Sequence, residues 1–358
     1  MKIRVGINGL GRIGRALTRQ LTGRQDVVLA AANDLVPLRS LAHLIAHDSV
    51  YGPAPFPVRT TERGLAIGDD ELRVTACGRP SDIPWEEEEV ELVFEATGEF
   101  ASRAQADAHL RGSVRQVVIT ATAPDADLTL LAGINDAALD QERHRVISAG
   151  SCTAQCLAPI LQVLRSRWGI ESAAMTTVHP YTNNQPLLDS GHSDLRRARA
   201  AGLSIVPATT SAILSILKLF PDMEGTLTGL SIRVPTPAIS LIDLAAVLKG
   251  PAATPELRRA FRDAGSGPMR ELLGTTEEEL VSVDFRGETR AAVVDLSLTY
   301  CVSEKLVKVV AWYDNEWGYA SRLLQTALVI ARASEAVGAD AARSERAGPV
   351  SRLAKLEG

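Results

Sequence analysis

Apolar and polar positions follow two different patterns along this chain. In the first 150 residues, short apolar runs predict strands at 2–8, 27–33, 71–76, 91–97, 116–121 and 145–148. Amphipathic stretches between them predict helices at 11–22, 38–47 and 101–111, and a polar, proline-rich segment after the second of these predicts a loop. Apolar strands joined by helical crossovers are typical of a parallel, doubly wound α/β sheet. We therefore predict one such domain over residues 1–150.

The second half of the chain has longer strand-like runs, with few helical stretches between them. The runs lie at 172–182, 227–235, 239–249, 280–284, 290–301 and 305–313. This pattern favours an α+β domain with a mainly antiparallel sheet over residues 151–315. A final helix at 316–333 is expected to complete the first domain, and the Ala-, Arg- and Glu-rich tail at 334–358 is expected to be mobile.

Composition narrows the classes of function. The formal net charge of −5 shows no basic excess of the kind that nucleic-acid binding needs. No apolar run approaches the roughly 18 residues of a membrane span, and the chain opens directly into a strand pattern, so we expect a cytoplasmic protein. The four cysteines are irregularly spaced and predict neither a disulfide framework nor a metal site.

A glycine-rich turn follows the first predicted strand. In V-G-I-N-G-L-G-R-I-G, the residues Gly9, Gly11 and Gly14 have the G-x-G-x-x-G spacing, which lets the backbone approach a pyrophosphate at a helix N-terminus. Asp34 ends the second strand, about 20 residues further on, where a carboxylate can accept hydrogen bonds from a ribose. We therefore predict a Rossmann domain that binds a dinucleotide. Because the carboxylate would repel the 2′-phosphate of NADP, we expect that dinucleotide to be NAD. The alternative is that the glycines serve only turns and packing.

Two cysteines lie four residues apart in the segment S-A-G-S-C-T-A-Q-C, where a helical pattern begins. Cys152 falls in the first predicted turn, where the helix dipole favours a thiolate. Cys156 falls one turn further in, where burial is the commoner fate. We therefore predict that Cys152 is a nucleophile and that Cys156 is structural. The alternative is that both are small buried hydrophobic residues.

A nucleophilic cysteine needs a base, and His179 is the best placed of the six histidines. It ends the predicted strand in A-A-M-T-T-V-H-P-Y-T, ahead of a polar run, so we expect its imidazole to be exposed at a strand end. A Cys–His pair beside a nicotinamide suggests oxidation of an aldehyde through a thioester. The order would be attack by the thiolate, transfer of a hydride, and release of the acyl group.

Taken together, the motifs resemble those of the phosphorylating glyceraldehyde-3-phosphate dehydrogenase family over roughly residues 2–332. In chain order they are V-G-I-N-G-L-G-R-I-G-R, A-N-D, H-D-S-V-Y-G, E-A-T-G, S-C-T-A-Q-C-L-A-P, T-T-V-H-P-Y-T, D-L-R-R-A-R-A, R-V-P-T and W-Y-D-N-E-W-G-Y. The resemblance implies that Cys152 is the nucleophile and that His179 is the base, which also stabilises the thiolate and the developing alkoxide. It also implies a homotetramer in which D-L-R-R-A-R-A borders the cofactor of a neighbouring subunit.

The same resemblance implies a set of binding residues. Asn315 would orient the nicotinamide carboxamide, with Tyr319 close by. The other implied cofactor contacts are Asn8, Gly9, Gly11, Arg12, Ile13, Gly14, Asp34, Thr97, Gly98 and Thr120. Thr182 and Arg233 match the positions that hold the substrate phosphate. The positions near the attacking inorganic phosphate are matched by Ser151, Thr153, Arg197 and Thr210, with Ser211 following where the family commonly has glycine.

Other departures from the family pattern surround the acyl-accepting side of the pocket. Ala149, Ala154 and Gln155 replace an asparagine, a threonine and an asparagine, Ser193 and Leu214 replace lysines, and Pro180 follows the histidine. These changes leave the affinity for phosphate and the substrate open. NAD-specific relatives often carry Leu-Pro where this chain has Ser190-Gly191, and NADP-tolerant relatives have small or polar residues there. Because Asp34 acts directly on the ribose, NAD is expected, with tolerance of NADP.

The first hypothesis is NAD-dependent, phosphorylating oxidation of glyceraldehyde 3-phosphate. An enzymatic rival acts on another phosphorylated aldehyde, such as erythrose 4-phosphate with water as acyl acceptor, or uses arsenate in place of phosphate. A third possibility is an inhibitor-resistant duplicate of the glycolytic enzyme. From a different class comes a non-catalytic nucleotide-binding protein on the same fold.

Overall fold

The structure is a computed structural model and describes residues 2–346 of the chain. Its first half is a nine-stranded sheet with α-helices at Arg12–Leu21 (α1), Leu38–Ala46 (α2) and Arg103–Ala106 (α3). The strands are β1 Ile3–Asn8, β2 Val27–Asn33, β3 His47–Asp48, β4 Gly52–Pro53, β5 Val58–Thr60, β6 Gly64–Ile67, β7 Asp70–Thr75, β8 Leu92–Glu95, β9 Gln116–Ile119, β10 Leu128–Thr129 and β11 Val146–Ser148. Of these, β3 and β4 pair with each other outside the sheet.

The strand order of this first sheet is β10-β11-β9-β8-β1-β2-β7-β6-β5. Every pairing from β10 to β7 is parallel, and only the edge made by β5, β6 and β7 is antiparallel. The central strands β8 and β9 are buried along their whole length, because helices cover both faces of a parallel sheet. The predicted doubly wound α/β class is confirmed.

The second half is built on a seven-stranded sheet. Its elements are α4 Cys152–Arg167, β12 Ile170–Pro180, β13 Val206–Ala208, α5 Ala212–Leu219, β14 Leu227–Val234, β15 Ser240–Leu248, α6 Thr254–Ser266, β16 Leu273–Thr276, β17 Ala292–Cys301 and β18 Leu306–Tyr313. The strand order is β13-β14-β12-β15-β18-β17-β16. The pairings β12–β14 and β16–β17 are parallel and the others are antiparallel, so the sheet is mixed but mainly antiparallel. Helices α4, α5 and α6 share one apolar core with it.

The last helix, α7, runs over Trp317–Arg346 and returns to the first sheet. Its side chains from Tyr319 to Ala331 belong to the same apolar cluster as β1 and α1. The predicted helix at 316–333 therefore exists but ends too early, because the Ala-rich sequence after Ala333 continues the helix. The predicted tail is helical up to Arg346, its remainder, residues 347–358, lies outside the described residues, and its mobility stays a prediction.

Several predicted elements differ from the structure. The predicted strand at 280–284 is wrong: this segment holds the 3₁₀ turn Ser282–Phe285, and the valines that suggested a strand, Val281 and Val283, are exposed. The predicted helix at 101–111 shrinks to α3 and a following 3₁₀ turn. The loop predicted after α2 contains the short strands from β4 to β6. Helices α5 and α6 were not predicted.

Within residues 2–346, no helix combines the length and apolar character needed to cross a membrane. Over residues 2–335, no group of three or more His, Cys, Asp or Glu side chains is placed to hold a metal ion.

Candidate active site

Two adjoining cavities open at the carboxyl ends of the central strands of the first sheet. The larger has a volume of about 650 Å³ and the smaller about 240 Å³, and both are lined by Gly11, Ala96 and Thr97. The crevice beyond the carboxyl ends of parallel strands is where doubly wound sheets bind ligands. The smaller cavity also touches Asp34, and the larger reaches Cys152 and Asn315. We call the pair the dinucleotide cleft.

The glycine-rich turn supplies one wall of the cleft. Gly9 has φ +96°, and a Cβ there would lie 2.7 Å from the backbone nitrogen of Thr97. A Cβ on Gly14 would lie 2.0 Å from the carbonyl oxygen of Gly9, so this glycine serves helix-to-strand packing below the cleft. At Gly11 a Cβ would meet no heavy atom of residues 2–346 within 4 Å, which leaves room for a ligand. No side chain in this part of the chain caps α1, so its first N–H groups can bind an anion.

Asp34 is held in place at the edge of the smaller cavity. Its Oδ2 accepts a hydrogen bond from Leu10 N at 2.6 Å, and its Oδ1 accepts one from Val36 N at 2.8 Å. Because the backbone fixes both oxygens, the carboxylate keeps one orientation beside the cavity. Its remaining lone pairs can accept hydrogen bonds from ribose hydroxyls.

A buried polar network lies beneath the floor of the cleft. The carboxylate of Glu95, only 2% exposed, accepts hydrogen bonds from Asn8 Nδ2 at 2.6 Å, from Thr97 N at 2.9 Å and from the Thr97 hydroxyl. His109 Nε2 lies 3.0 Å from Glu95, and His109 Nδ1 accepts from the Trp85 indole at 3.0 Å. The indole can only donate, so the ring proton of His109 sits on Nε2 and faces Glu95. We call these five residues the floor network.

Cys152 is the first residue of α4, as its position in the sequence predicts. The hydroxyl of Ser151 caps this helix by accepting a hydrogen bond from Ala154 N at 3.1 Å. The chain enters the helix through Gly150, whose φ of +64° favours glycine. Cys156 is fully buried in the core of the second half, and burial raises the pKa of its thiol well above the usual value.

His179 lies next to Cys152, with Nε2 3.5 Å from Sγ. The imidazole is only 5% exposed, so the expectation of an exposed strand end is wrong. The Tyr313 ring lies edge-on against it, with the ring centroids 6.2 Å apart. Arg233 Nη1 lies 2.6 Å from His179 Nδ1, and Pro180 O lies 2.9 Å from the same atom. Because a guanidinium only donates, Nδ1 is an acceptor here and the ring proton sits on Nε2, facing the sulfur.

Burial shifts the pKa values of this pair. It raises the pKa of Cys152 to about 11, although the charge of Arg233 acts in the opposite direction. Burial and the same charge lower the pKa of His179 to about 3. In the ligand-free site, burial therefore disfavours the charged form of both side chains. Between pH 6.5 and about 3 the unfolded chain binds a proton that the folded site excludes, so His179 lowers stability as the pH falls through that window.

A third cavity, of about 310 Å³, is also lined by Cys152 and His179 and is called the anion pocket below. Two guanidinium groups, those of Arg197 and Arg233, contribute to its lining. Hydroxyl side chains form most of the rest, namely Ser151, Thr153, Thr209, Thr210, Ser211 and Ser231. Cations surrounded by hydroxyls suit an oxyanion such as phosphate.

At the nicotinamide end of the cleft, Asn315 is fixed by the backbone. Its Oδ1 accepts a hydrogen bond from Ile239 N at 2.9 Å, which leaves Nδ2 as a donor. Ile239 has φ +69°, which is strained for a β-branched residue. Holding this backbone conformation costs free energy, which the surrounding structure must offset. Tyr319 donates its hydroxyl hydrogen to Gly150 O at 2.8 Å and so joins α7 to the loop before Cys152.

The structure brings most of the predicted residues to these cavities. The larger cavity is lined by Gly11, Arg12, Ile13, Thr97, Gly98, Thr120, Ser151, Cys152, His179, Thr182, Ser211, Asn315 and Tyr319, and the smaller by Asn8, Gly9, Gly11, Asp34 and Thr97. Of the rest, Thr153, Arg197, Thr210 and Arg233 line the anion pocket. Gly14 lines none of the three.

Thr182 lines the larger cavity and Arg233 lines the anion pocket, and these two cavities share the lining residues Ser151, Cys152, His179 and Ser211. The guanidinium of Arg12 is bound by Asp48 and Glu316, so its side chain is committed within the protein.

Sequence reasoning missed several side chains at the site. Glu95 stands in the E-A-T-G motif, but its burial and its partners appear only in three dimensions. Tyr313 on β18 shares hydrogen bonds of 2.8 Å with Thr153 of α4 and with Thr177 of β12. Ser231 lies two residues before Arg233 on β14, so the two-residue strand period could have placed it on the same face.

Comparison with known proteins shows which family this architecture belongs to. Residues 3–103 match the model of the glyceraldehyde 3-phosphate dehydrogenase NAD binding domain, and residues 151–315 match that of the C-terminal domain. The glyceraldehyde-3-phosphate dehydrogenase of Geobacillus stearothermophilus is 42% identical over 331 residues, which is 92% of this chain and 99% of that protein. Glyceraldehyde-3-phosphate dehydrogenase 1 of Streptomyces avermitilis has the same identity and coverage. Glyceraldehyde-3-phosphate dehydrogenase 1 of Bacillus cereus is 40% identical over 324 residues, which is 90% of this chain and 97% of that protein.

Proposed function

Because this chain belongs to the glyceraldehyde-3-phosphate dehydrogenase family, we propose that it oxidises glyceraldehyde 3-phosphate to 1,3-bisphosphoglycerate through a thioester on Cys152. It is an NAD-dependent phosphorylating dehydrogenase. The observation that carries the proposal is the position of the sulfur. Cys152 lies 3.5 Å from the imidazole of His179, between the dinucleotide cleft and the anion pocket.

The residues of the cleft fit a dinucleotide. The uncapped N-terminus of α1, beside the open space at Gly11, would hold the pyrophosphate, and Asp34 would accept hydrogen bonds from the adenosine ribose. Asn315 Nδ2 would orient the carboxamide. When bound, NAD supplies the acceptor for the hydride that leaves the substrate. Preference for NAD over NADP is the family expectation, and tolerance of NADP stays a prediction.

In the first half of the reaction, the sulfur of Cys152 attacks the carbonyl carbon of the aldehyde and forms a C–S bond. The thiol proton passes to His179, whose Nε2 must then be free to accept it. We propose that the phosphoryl group of the bound aldehyde draws Arg233 away from Nδ1, so that Nδ1 carries the ring proton and donates it to Pro180 O. The hydride then leaves the same carbon, and a thioester of Cys152 remains.

In the second half, an oxygen of inorganic phosphate attacks the thioester carbon. The C–S bond breaks, the acyl phosphate leaves, and the sulfur recovers a proton from His179. Arg197 and Arg233, with the hydroxyls of Ser151 and Thr210, would hold the attacking phosphate. Thr182 would bind the phosphoryl group of the aldehyde from the larger cavity.

A homotetramer is part of the proposal. Five large apolar side chains between residues 187 and 205 are 70–89% exposed in the single chain: Leu187, Leu188, Leu195, Leu203 and Ile205. Apolar groups this exposed and this close in sequence are typical of a subunit contact. Light scattering in solution would give the number of subunits. We further propose that residues 1–150 with α7 and residues 151–315 are the two domains, in a cytoplasmic enzyme.

The test of the proposed function is a steady-state assay that varies aldehyde, acyl acceptor and cofactor independently. We expect NADH formation from glyceraldehyde 3-phosphate to rise with inorganic phosphate. A rate that is independent of phosphate would contradict the proposal. A higher kcat/KM for erythrose 4-phosphate would favour the rival substrate, although all three relatives above carry the name of the glyceraldehyde-3-phosphate enzyme.

A further inference from the structure

One hydroxyl in the anion pocket has no partner. Ser231 is 2% exposed, and its Oγ makes no hydrogen bond within the part of the chain that the structure describes. It lies on β14 two residues before Arg233, and side chains two apart on a strand point to the same face. Both residues line the pocket beside Cys152. The strand therefore presents a hydroxyl and a guanidinium side by side.

The other hydroxyls of the pocket differ in this respect. Thr153 Oγ1 is 2.8 Å from the hydroxyl of Tyr313, and Ser211 donates to Thr122 at 3.2 Å. A buried hydroxyl without a hydrogen bond costs free energy. Its presence therefore points to a ligand that forms the missing hydrogen bond. The guanidiniums of Arg197 and Arg233, which also line the pocket, cannot accept a hydrogen bond. The missing acceptor is therefore supplied from outside the protein.

We propose that Ser231 is a specificity-determining residue that donates a hydrogen bond to a phosphate oxygen in the anion pocket. A tetrahedral oxyanion can accept from this hydroxyl while it neutralises Arg197 and Arg233, which a neutral acceptor such as water cannot do. The inference rests on the proposed function, because it assigns the pocket to the phosphate chemistry of that reaction. The phosphate can be the inorganic acyl acceptor or the phosphoryl group of the aldehyde.

The experiment compares Ser231→Ala with the wild type in the full-length enzyme. We measure the KM for inorganic phosphate and the KM for glyceraldehyde 3-phosphate separately, and the burst of NADH in the absence of phosphate. We expect one KM to rise about tenfold, the typical effect of losing one hydrogen bond to a charged group. A rise for inorganic phosphate with an unchanged burst assigns the hydroxyl to the acceptor. A rise for the aldehyde assigns it to the substrate.

Two further variants keep the result interpretable. Ser231→Thr retains the hydroxyl and should restore the KM to within about twofold of the wild type. Ser240→Ala removes an equally buried hydroxyl that also has no partner among the described residues, but that lies outside the pocket lining. We expect this control to leave both KM values unchanged, while its melting temperature reports the effect of deleting a buried hydroxyl.

The two hypotheses fail separately. A wild-type rate that does not respond to phosphate contradicts the proposed function. A phosphate-dependent wild type, with both KM values unchanged in a folded Ser231→Ala variant, overturns only the role of Ser231. That role is overturned as well if Ser240→Ala raises the KM as much as Ser231→Ala does.

Discussion

The floor network and the anion pocket are two polar regions of the candidate active site, and they differ in how their groups are paired. In the floor network, Glu95 accepts from Asn8, Thr97 and His109. In the anion pocket, Ser231 Oγ has no hydrogen-bond partner among the described residues. The paired region has its shape before any ligand arrives. The open region gains its full set of bonds only when an anion binds.

The difference has a physical basis in what each ligand requires. A dinucleotide must be placed within a fraction of an ångström for hydride transfer, and a rigid, fully bonded floor provides that placement. An acyl acceptor must enter and leave in every turnover. A hydrogen-bond donor that is unpaired in the free protein gains an acceptor when the anion binds. This favours binding, and the anion can still leave after each turnover.

The largest effect is expected at the point where the two regions meet. Cys152→Ser replaces the sulfur by an oxygen that is a far weaker nucleophile, so we expect kcat/KM to fall by at least about 10⁴-fold. The dissociation constant for NAD, measured by quenching of protein fluorescence, should stay within about twofold because the floor network is untouched. Cys156→Ala is the matched control and should retain activity. A serine variant with near-normal turnover would contradict the thioester mechanism.

The second prediction opens the anion pocket further. Arg233→Gln removes a positive charge from the lining of the anion pocket, so the KM for inorganic phosphate should rise about 100-fold. The same charge interacts with both the sulfur and the imidazole. The pKa of Cys152 should also rise, because this guanidinium opposes the effect of burial. The midpoint of the pH dependence of alkylation by iodoacetamide should therefore move upward. Arg233→Lys, which keeps the charge, should move it less, and an equal shift in both variants would argue against a charge effect.

The third prediction breaks the floor network. His109→Ala leaves the indole nitrogen of Trp85 and an oxygen of Glu95 without this partner, in a region with almost no solvent access. We expect the free energy of unfolding to fall by about 3 kcal/mol, because buried polar groups lose their bonds and a cavity forms. Urea unfolding of the ligand-free enzyme measures it. His43→Ala, at an exposed histidine, is the control, and equal losses in both would mean that the network adds no stability.

The smallest effect concerns the outer edge of the cleft. Asp34→Asn removes the charge that would repel a 2′-phosphate but keeps an acceptor near the ribose, so kcat/KM with NADP should improve about tenfold. The exposed Asp69→Asn is the control and should leave the ratio of NADP to NAD activity unchanged. No gain with NADP would mean that another residue sets the cofactor preference.

Local pattern was enough for some parts of this molecule. The strand β2 has the predicted bounds, because a short run of apolar residues between polar flanks is typical of a buried strand. The cysteine at the head of α4 also followed from local signals, since a serine cap precedes the apolar face of the helix. Helix α6 was missed although its signals were present: Pro255 at its start and buried Leu257, Ala260 and Phe261 at helical spacing.

Other features depend on contacts that no local pattern contains. The burial of His179 is produced by Tyr313 and Arg233, which come from other strands. Val281 and Val283 are strand-forming residues, but both are exposed and their segment forms a turn. Such residues form a strand only where a neighbouring strand is available to pair with them. Both the depressed pKa of His179 and the unpaired hydroxyl of Ser231 belong to this second class.

The return of α7 to the first sheet has a consequence for biosynthesis. The core around β1 is completed by Tyr319, Leu323 and Ala327, which leave the ribosome after the whole of the second sheet has been made. The nascent first half therefore emerges with an apolar face uncovered, whereas the strands from β12 to β18 can close before it. The core of the first half is therefore complete only once α7 has been synthesised. A nonsense mutation ahead of residue 317 would remove α7. The apolar face of the nucleotide-binding half would then be exposed to water and prone to aggregation.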